Sequence, residues 1–154
     1  MNADLIARGL SPLDVDAAAL KAGILMMKEL RRFAGKGADF GTESTLSART
    51  YAPLIDQWKS EGYLFHLFYI WLPNADMAVE RVAARVRAGG HNIPTEVLRR
   101  RYDRGLKNLK ETYLPRADVW TILDNSGPSY RVVACGRGEQ KEVFQPEIWE
   151  QIDA

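Results

Sequence analysis

The 154 residues include one cysteine, Cys135, so no disulfide can close within the chain, and a cytoplasmic, reducing setting is expected. Histidine is almost as scarce. His66 and His91 stand far from each other and from Cys135, which leaves no zinc-type ligand spacing and no metal expected from it. Long apolar runs are missing too. The longest, residues 64–72, is too short to span a bilayer and contains His66. The first residues show no basic-then-apolar signal pattern, and no membrane partner is expected. Low-complexity tracts and internal repeats are absent. The 154 residues also contain no GxxxxGK[ST], the loop whose backbone N–H groups and lysine hold nucleotide phosphates. Gly35-Lys36-Gly37 is followed by alanine and comes after a helical pattern, and Gly136-Arg137-Gly138 has no lysine.

What is present describes an ordinary globule, 46% hydrophobic and 27% charged, of a length that fits a single domain over residues 1–154. A chain of this size buries roughly two-thirds of its unfolded surface, enough for a real core. The net charge of +1 conceals an asymmetry. Residues 81–107 hold eight basic side chains against Glu96 and Asp103, a local charge of +6, and the remainder carries −5. A compact positive block on a near-neutral chain points to a small anion. No basic stripe interleaved with aromatics accompanies it, so nucleic acid is not expected as a partner.

Periodicity gives the order of elements. Ser11-Pro12 reads as a helix start, with Leu20, Ile24, Met27 and Leu30 on one face and Gly35 and Gly37 as the stop. Residues 38–43 form a strand candidate, and residues 44–47 a polar turn. Tyr51, Leu54, Ile55 and Trp58 mark a second helix ending at Gly62. Residues 64–72 are nearly all apolar, the pattern of a strand buried on both faces in a parallel sheet, with His66 in the core. Pro73-Asn74 opens a helix with Val82 and Val86 inward, broken by Gly89-Gly90. Pro94 opens a longer one striped by Leu98, Tyr102, Leu106, Leu109 and Tyr113. Strands at 120–124 and 129–135 come next, the second read as antiparallel to the first, and a short helix is expected after Pro146. Helices alternating with strands predict an α/β three-layer sandwich around a mostly parallel sheet, with ligands beyond the carboxyl ends of the strands.

Several residues carry candidate chemistry. Arg81 and Arg85 share a helix face with no acid at local spacing, and such like-charged neighbours cost about 0.2–0.5 kcal/mol unless an anion lies between them. Arg87, His91 and Arg101 extend the basic block across the glycine pair. This reads either as a lid that closes over phosphates or as a solvated face with tertiary ion pairs. Glu43, Thr45 and Ser47 at a strand end suit sugar hydroxyls, or simply cap a turn. Asp4 is one acid among many, and residues 124–126 read most simply as a turn.

Five stretches together resemble the zeta-toxin family of P-loop kinases, in particular its short bacterial branch of predicted ABC-type ATPases. They are NADLIARGLSP (2–12), GTESTLSART (41–50), FYIWLPNADMAVERVAARVRAGGHNIP (68–94), RRRYDRGLKNLKETYLP (99–115) and DNSGP (124–128). The resemblance implies a P-loop-kinase-like fold and ATP-dependent phosphorylation of a hydroxyl on UDP-N-acetylglucosamine or a similar sugar nucleotide. ATP and Mg²⁺ are the implied cofactors, and an antitoxin protein an implied partner. It makes Asp4 the base that accepts the substrate proton, and Arg81 the group that stabilises charge on the transferring phosphoryl. Glu43, Thr45 and Arg49 become acceptor-site residues, and Arg85, Arg87, His91 and Arg101 parts of the nucleotide lid.

In that family the first strand, the Walker A loop and its helix precede the segment that begins here at Asn2. The expectation is therefore a sheet lacking its first strand and P-loop, and a chain inactive in this form. The alternative is a non-catalytic nucleotide- or phosphate-binding module. About five buried apolar side chains at roughly 1.5–3 kcal/mol each would be forfeited with such a strand. Neighbouring strands are then expected to close the gap, or to leave an open edge through which two copies pair.

Overall fold

The computed structural model describes residues 1–90 and 92–153, so the lid role of His91 lies outside the described residues. The chain divides into two compact units, Met1–Ser44 and Thr45–Ala154.

The first unit is a pair of helices. Helix α1 (Ala3–Leu10) starts where the Asn2 side-chain oxygen accepts the N–H groups of Asp4 at 2.9 Å and Leu5 at 3.2 Å. Helix α2 (Val15–Ala34) starts at Asp14, whose carboxylate accepts the Ala17 N–H at 3.0 Å. The expected start at Ser11-Pro12 is displaced because Ser11 closes the preceding helix, its N–H donating to the Ala7 carbonyl at 2.9 Å. The inward stripe of α2 is Ala18, Ala22, Met26, Leu30 and Ala34. Leu20 and Ile24, expected to face inward, are 78% and 64% exposed. Small side chains explain the rotation. Ala18 and Ala22 pack with Ala7, Ile6 and Val15, and alanines let two helices approach more closely than a leucine face would.

Residues 38–43 form no strand. They run without a ladder except at one point, where the Met1 amine donates to the Gly41 carbonyl and the Glu43 N–H donates to the Met1 carbonyl. One residue bonding to both neighbours of its opposite is the parallel pattern, here a single residue long.

In the second unit, α3 (Ala52–Ser60) precedes β1 (His66–Trp71). Helices α4 (Ala75–Arg87) and α5 (Thr95–Asn108) form the crossover to β2 (Val119–Asp124). Strands β3 (Arg131–Arg137) and β4 (Gln140–Val143) and helix α6 (Pro146–Asp153) complete it. Helix α5 runs on into a π-helical turn, Leu109–Tyr113, and a 3₁₀ turn, Leu114–Arg116. The sheet order is β1-β2-β3-β4. Only β1 and β2 are parallel, and the other two pairings are antiparallel.

The expected three-layer, mostly parallel, P-loop-kinase-like sandwich is therefore not the fold. This is a mixed α/β structure with a small four-stranded sheet and one parallel pair. Connection length decides the difference. Two helices link β1 to β2, long enough for a parallel crossover, whereas residues 125–130 between β2 and β3 permit only a return in the opposite direction. Strand β4, which the sequence pattern did not show, comes after the tight turn at Gly138, whose φ is 56°.

Nor is β1 buried on both faces. Leu67 and Trp71 point into the core, while His66 is exposed and Phe68 and Ile70 are 69% and 50% exposed. The core lies on the opposite face. There Leu67, Trp71, Trp120, Ile122 and Val133 meet Ile55 of α3, Leu109 and Tyr113 of the π turn, and Ile152 of α6. On that side Trp120 also stacks on Trp149 of α6, with ring centroids 5.6 Å apart and planes 17° off parallel. Gly136, opposite Trp120 on β3, makes room for this indole, since a Cβ built there would lie 2.5 Å from the ring.

Gly136→Ala should therefore displace Trp120 and destabilise the fold by about 1–3 kcal/mol. Phe68→Ser, on the open face, should change stability by less than about 0.5 kcal/mol. Chemical denaturation of the two variants checks the contrast, and equal losses would show that both faces are buried.

Candidate functional site

Two guanidinium groups are bonded to consecutive residues at the carboxyl end of β2, beside the end of its parallel partner β1. Strand β2 ends in Asp124, whose carboxylate is fully buried. One of its oxygens accepts the Ser126 N–H at 2.8 Å, a local turn that folds the chain back on itself. The other accepts from Arg131, the cross-strand partner of Asp124, at 2.6 Å. The next residue, Asn125, donates its N–H to the Trp71 carbonyl at 3.0 Å, joining the ends of β1 and β2. Its own carbonyl accepts from Arg81 of α4.

Burial alone would push the Asp124 carboxyl upward. The bonds from Ser126 and Arg131 together outweigh it and hold the group below its ordinary value. Asp118 behaves alike. Burial raises it, but the Lys59 ammonium at 2.8 Å and the Phe65 N–H at 2.7 Å bring it down.

Helix α4 rises from this end of the sheet because Asn74 caps it, accepting the Met77 N–H at 2.9 Å. The glycines that end it form a Schellman turn. Gly89, at φ 87°, donates to the Val86 carbonyl and Gly90 to that of Arg85, both at 2.9 Å. A Cβ on Gly90 would sit 2.7 Å from the Arg85 carbonyl oxygen, so the glycine is required there sterically. Helices α4 and α5 are joined by an Arg99–Asp76 ion pair. The Tyr102 hydroxyl donates to the Leu72 carbonyl at 2.8 Å and fixes α5 to the end of β1. Arg81, Arg85, Arg87 and Arg101 are all exposed. Among the described residues no ion pair neutralises any of them.

A second constellation surrounds residues 45–49. Leu46 is the one described non-glycine residue at positive φ, 55°, with its side chain in the core. Such a conformation costs about 1–3 kcal/mol and persists only where its surroundings enforce it. Here Asn108, buried at the end of α5, donates to the Leu46 carbonyl at 2.8 Å and accepts from Arg49 at 2.7 Å. Arg49 reaches on to Glu111 at 2.9 Å, and the Tyr113 hydroxyl donates to the Ala48 carbonyl. Gly105 lies directly beneath Thr45, since a Cβ on it would come within 2.5 Å of the Thr45 carbonyl oxygen. The Thr45 and Ser47 hydroxyls emerge side by side, 2.9 Å apart.

Of the expected site residues, Asp4 and Glu43 come together in the first unit. Asn2 joins them, its oxygen accepting the Asp4 N–H and its amide donating to the Glu43 carboxylate at 2.7 Å. Both acids are exposed. Thr45, Arg49, Arg81, Arg85, Arg87 and Arg101 belong to the second unit. Arg49 is engaged with Asn108 and Glu111 and serves the loop that presents Thr45. Sequence reasoning missed Asn108, whose polar side chain falls beside the apolar stripe of α5, and Arg131, which only the β2–β3 register brings to Asp124.

The implied ATP and Mg²⁺ find neither a glycine-rich phosphate cradle nor a ready-made cluster of protein ligands among the described residues. Among the described residues no group of three or more His, Cys, Asp and Glu gathers as for a metal ion. The positive-φ glycines at 37, 62, 89 and 138 end helices or turn the β3–β4 hairpin, and none forms a phosphate-cradling loop. Among the described residues no helix is long and apolar enough to cross a membrane.

Asn108→Ala should destabilise the chain by about 1–3 kcal/mol, because it leaves the Leu46 carbonyl without its donor and the Arg49 Nε without its acceptor. Thermal melts measure this, and an unchanged midpoint would remove Asn108 from the support of the loop. For Asp124 the sign is set by a lowered folded-state value. Its stabilisation is complete above the unfolded carboxylate pKa and is lost as the pH falls through the folded one. The stability gap between the native chain and Asp124→Asn should thus be constant at neutral pH and close below about pH 4. Denaturation midpoints across the acid range would refute this if the gap stayed open.

No protein family model matches this chain, and no solved structure does. The chain is similar to an uncharacterized protein of Haemophilus influenzae (strain ATCC 51907 / DSM 11121 / KW20 / Rd). The two are 28% identical over 102 residues, covering 66% of this chain and 73% of that protein.

Proposed function

We propose that the chain is a zeta-toxin-like kinase domain by lineage that binds a phosphate-bearing small molecule of the sugar-nucleotide class, with UDP-N-acetylglucosamine as the reference ligand. The observation that carries this reading is the position of Arg81. It reaches from α4 to the Asn125 carbonyl at the carboxyl ends of the parallel strands, and no carboxylate among the described residues neutralises it. Ligands of α/β folds bind at those ends. A guanidinium fixed by one donor keeps its remaining planar donors for phosphoryl oxygens, and it would offset the charge that builds on them during transfer.

The roles of the other residues rest on their chemistry. Asp4, exposed in the first turn of α1, is a carboxylate suited to accept the proton of an attacking hydroxyl. Glu43 and the paired hydroxyls of Thr45 and Ser47 suit sugar hydroxyls. An antitoxin protein is the partner this lineage proposes, and the outer edge of β1, an end strand of the sheet, is the place for a second copy.

Within these 154 residues we favour binding without ATP turnover. The sequence has no GxxxxGK[ST], and none of the described positive-φ glycines forms a phosphate-cradling loop. Calorimetry should detect UDP-N-acetylglucosamine, and Arg81→Ala should weaken it about tenfold or more, the usual worth of a charge-assisted bond. A coupled assay should show no ATP consumption. Absence of sugar-nucleotide binding at millimolar ligand would sink the reading, and phosphorylation of the sugar nucleotide by this chain would overturn its non-catalytic part.

A further inference from the structure

We propose that Arg131 is a second phosphate-binding residue at the carboxyl ends of β1 and β2, set in place by the buried carboxylate of Asp124. The site would then take a phosphoryl or diphosphoryl group between Arg131 and Arg81. This deepens, and rests on, the reading of that end of the sheet as the place where the ligand's phosphate binds.

The two guanidinium groups are anchored to consecutive residues. Arg131 donates to the Asp124 carboxylate, and Arg81 donates to the Asn125 carbonyl. Asp124 supplies one negative charge and is itself fully enclosed, while the Arg131 side chain is 60% exposed. One nitrogen of Arg131 is therefore held from within, and the rest of its fork faces solvent. Arg81 is bonded to a neutral carbonyl that cancels none of its charge. Arg85 stands one helical turn further along α4 and adds a third cation. Among the described residues the only ion pair to any of these three is the one from Asp124 to Arg131. The turn beneath is shaped to let a ligand approach. Asp124 folds it by taking the Ser126 N–H, and nothing lies within 4 Å of the position a Cβ on Gly127 would occupy.

A solvated surface arginine needs no buried acid to hold it. A carboxylate enclosed at the end of a strand is costly to keep there unless it is paired and hydrogen-bonded. What the pair provides is orientation of a planar, bidentate donor at a fixed point. Planar donors match phosphoryl oxygens in a way that a lysine ammonium does not.

The test is calorimetric titration of the full chain with sodium pyrophosphate at constant ionic strength. Arg131→Lys is the primary variant. It keeps the charge that Asp124 needs, so the fold should survive, but it loses the fork, and pyrophosphate affinity should fall about five- to tenfold with an unchanged melting temperature. Arg81→Ala should produce a loss at least as large. Glu147→Gln, on α6, serves as the surface control and should bind as the native chain does. Equal affinity of the native chain and Arg131→Lys, alongside a loss in Arg81→Ala, would overturn the role of Arg131 and leave the proposed function standing. Failure of the native chain to bind pyrophosphate at all would overturn the site itself. Retained binding of UDP-N-acetylglucosamine in that case would show that the sugar and base, rather than the phosphates, are recognised.

Discussion

A fully enclosed carboxylate, Asp124, fixes the carboxyl end of the parallel pair, and the surrounding structure is arranged about it. Without its partners the enclosed Asp124 charge would be left in a medium that solvates it poorly, which is strongly destabilising. Asp124 therefore dictates its surroundings. It holds the Ser126 N–H and so sets the turn, and it holds Arg131 and so fixes the start of β3 opposite the end of β2. Through Asn125, the turn it sets carries the contacts to β1 and to α4. A strand end, a turn, a helix and two guanidinium groups thus share one electrostatic anchor. A turn without this anchor would have no reason to hold the arginines in register.

The same unit contains a second, neutral anchor. Asn108 satisfies a carbonyl that the left-handed Leu46 aims inward, and the guanidinium of nearby Arg49. The helix departs from α geometry in the next residues, where Leu109–Tyr113 form the π turn. Such a turn inserts one residue and re-aims the side chains beyond it. Here Leu109 and Tyr113 enter the core while the Tyr113 hydroxyl reaches the loop at Ala48. Strain at Leu46 is offset by bonds from three side chains, and its result is a rigid perch for the Thr45 and Ser47 hydroxyls.

Much of the second unit was legible in the sequence because its signals are local. The stripe from Leu98 to Tyr113, the stop at Gly89, the cap at Asn74 and Pro146 at the start of α6 each report on a few neighbouring residues, and each element is where they place it. Sheet topology was not legible, because a run such as residues 64–72 has the same composition whether one face is covered or two. Strand β4 escaped notice because Gln140–Val143 carries three polar residues and only one apolar one. The first unit misled for another reason. Leu20 and Ile24 look like a core face, but contact between α1 and α2 is set by alanines, whose small volume rather than hydrophobicity decides which side turns inward. In the candidate site, Arg81 was recognisable from its lack of a local acid. Arg131 and Asn108 were not, since their partners lie across a sheet register and across a loop.

The uncovered sheet face bears on how the basic block should be understood. Phe68 and Ile70 lie outward on β1, with Val132, 40% exposed, two strands away, and helices of this unit cover only the other side. Full burial of such a side chain is worth about 1.5–3 kcal/mol, and these partly exposed ones forgo a share of it. Stability must therefore come from the one covered face, where Trp71, Ile122, Leu109 and Tyr113 are enclosed. The polar network at the strand ends then matters more than it would in a sheet covered on both sides, since it adds to the ladder that holds β1, β2 and β3 in register at that end. Arginines recruited for that purpose alone would be expected to end on acids. Arg131 does, but Arg81 ends on a carbonyl and keeps its charge, which is a poor way to staple a helix and a suitable way to hold an anion.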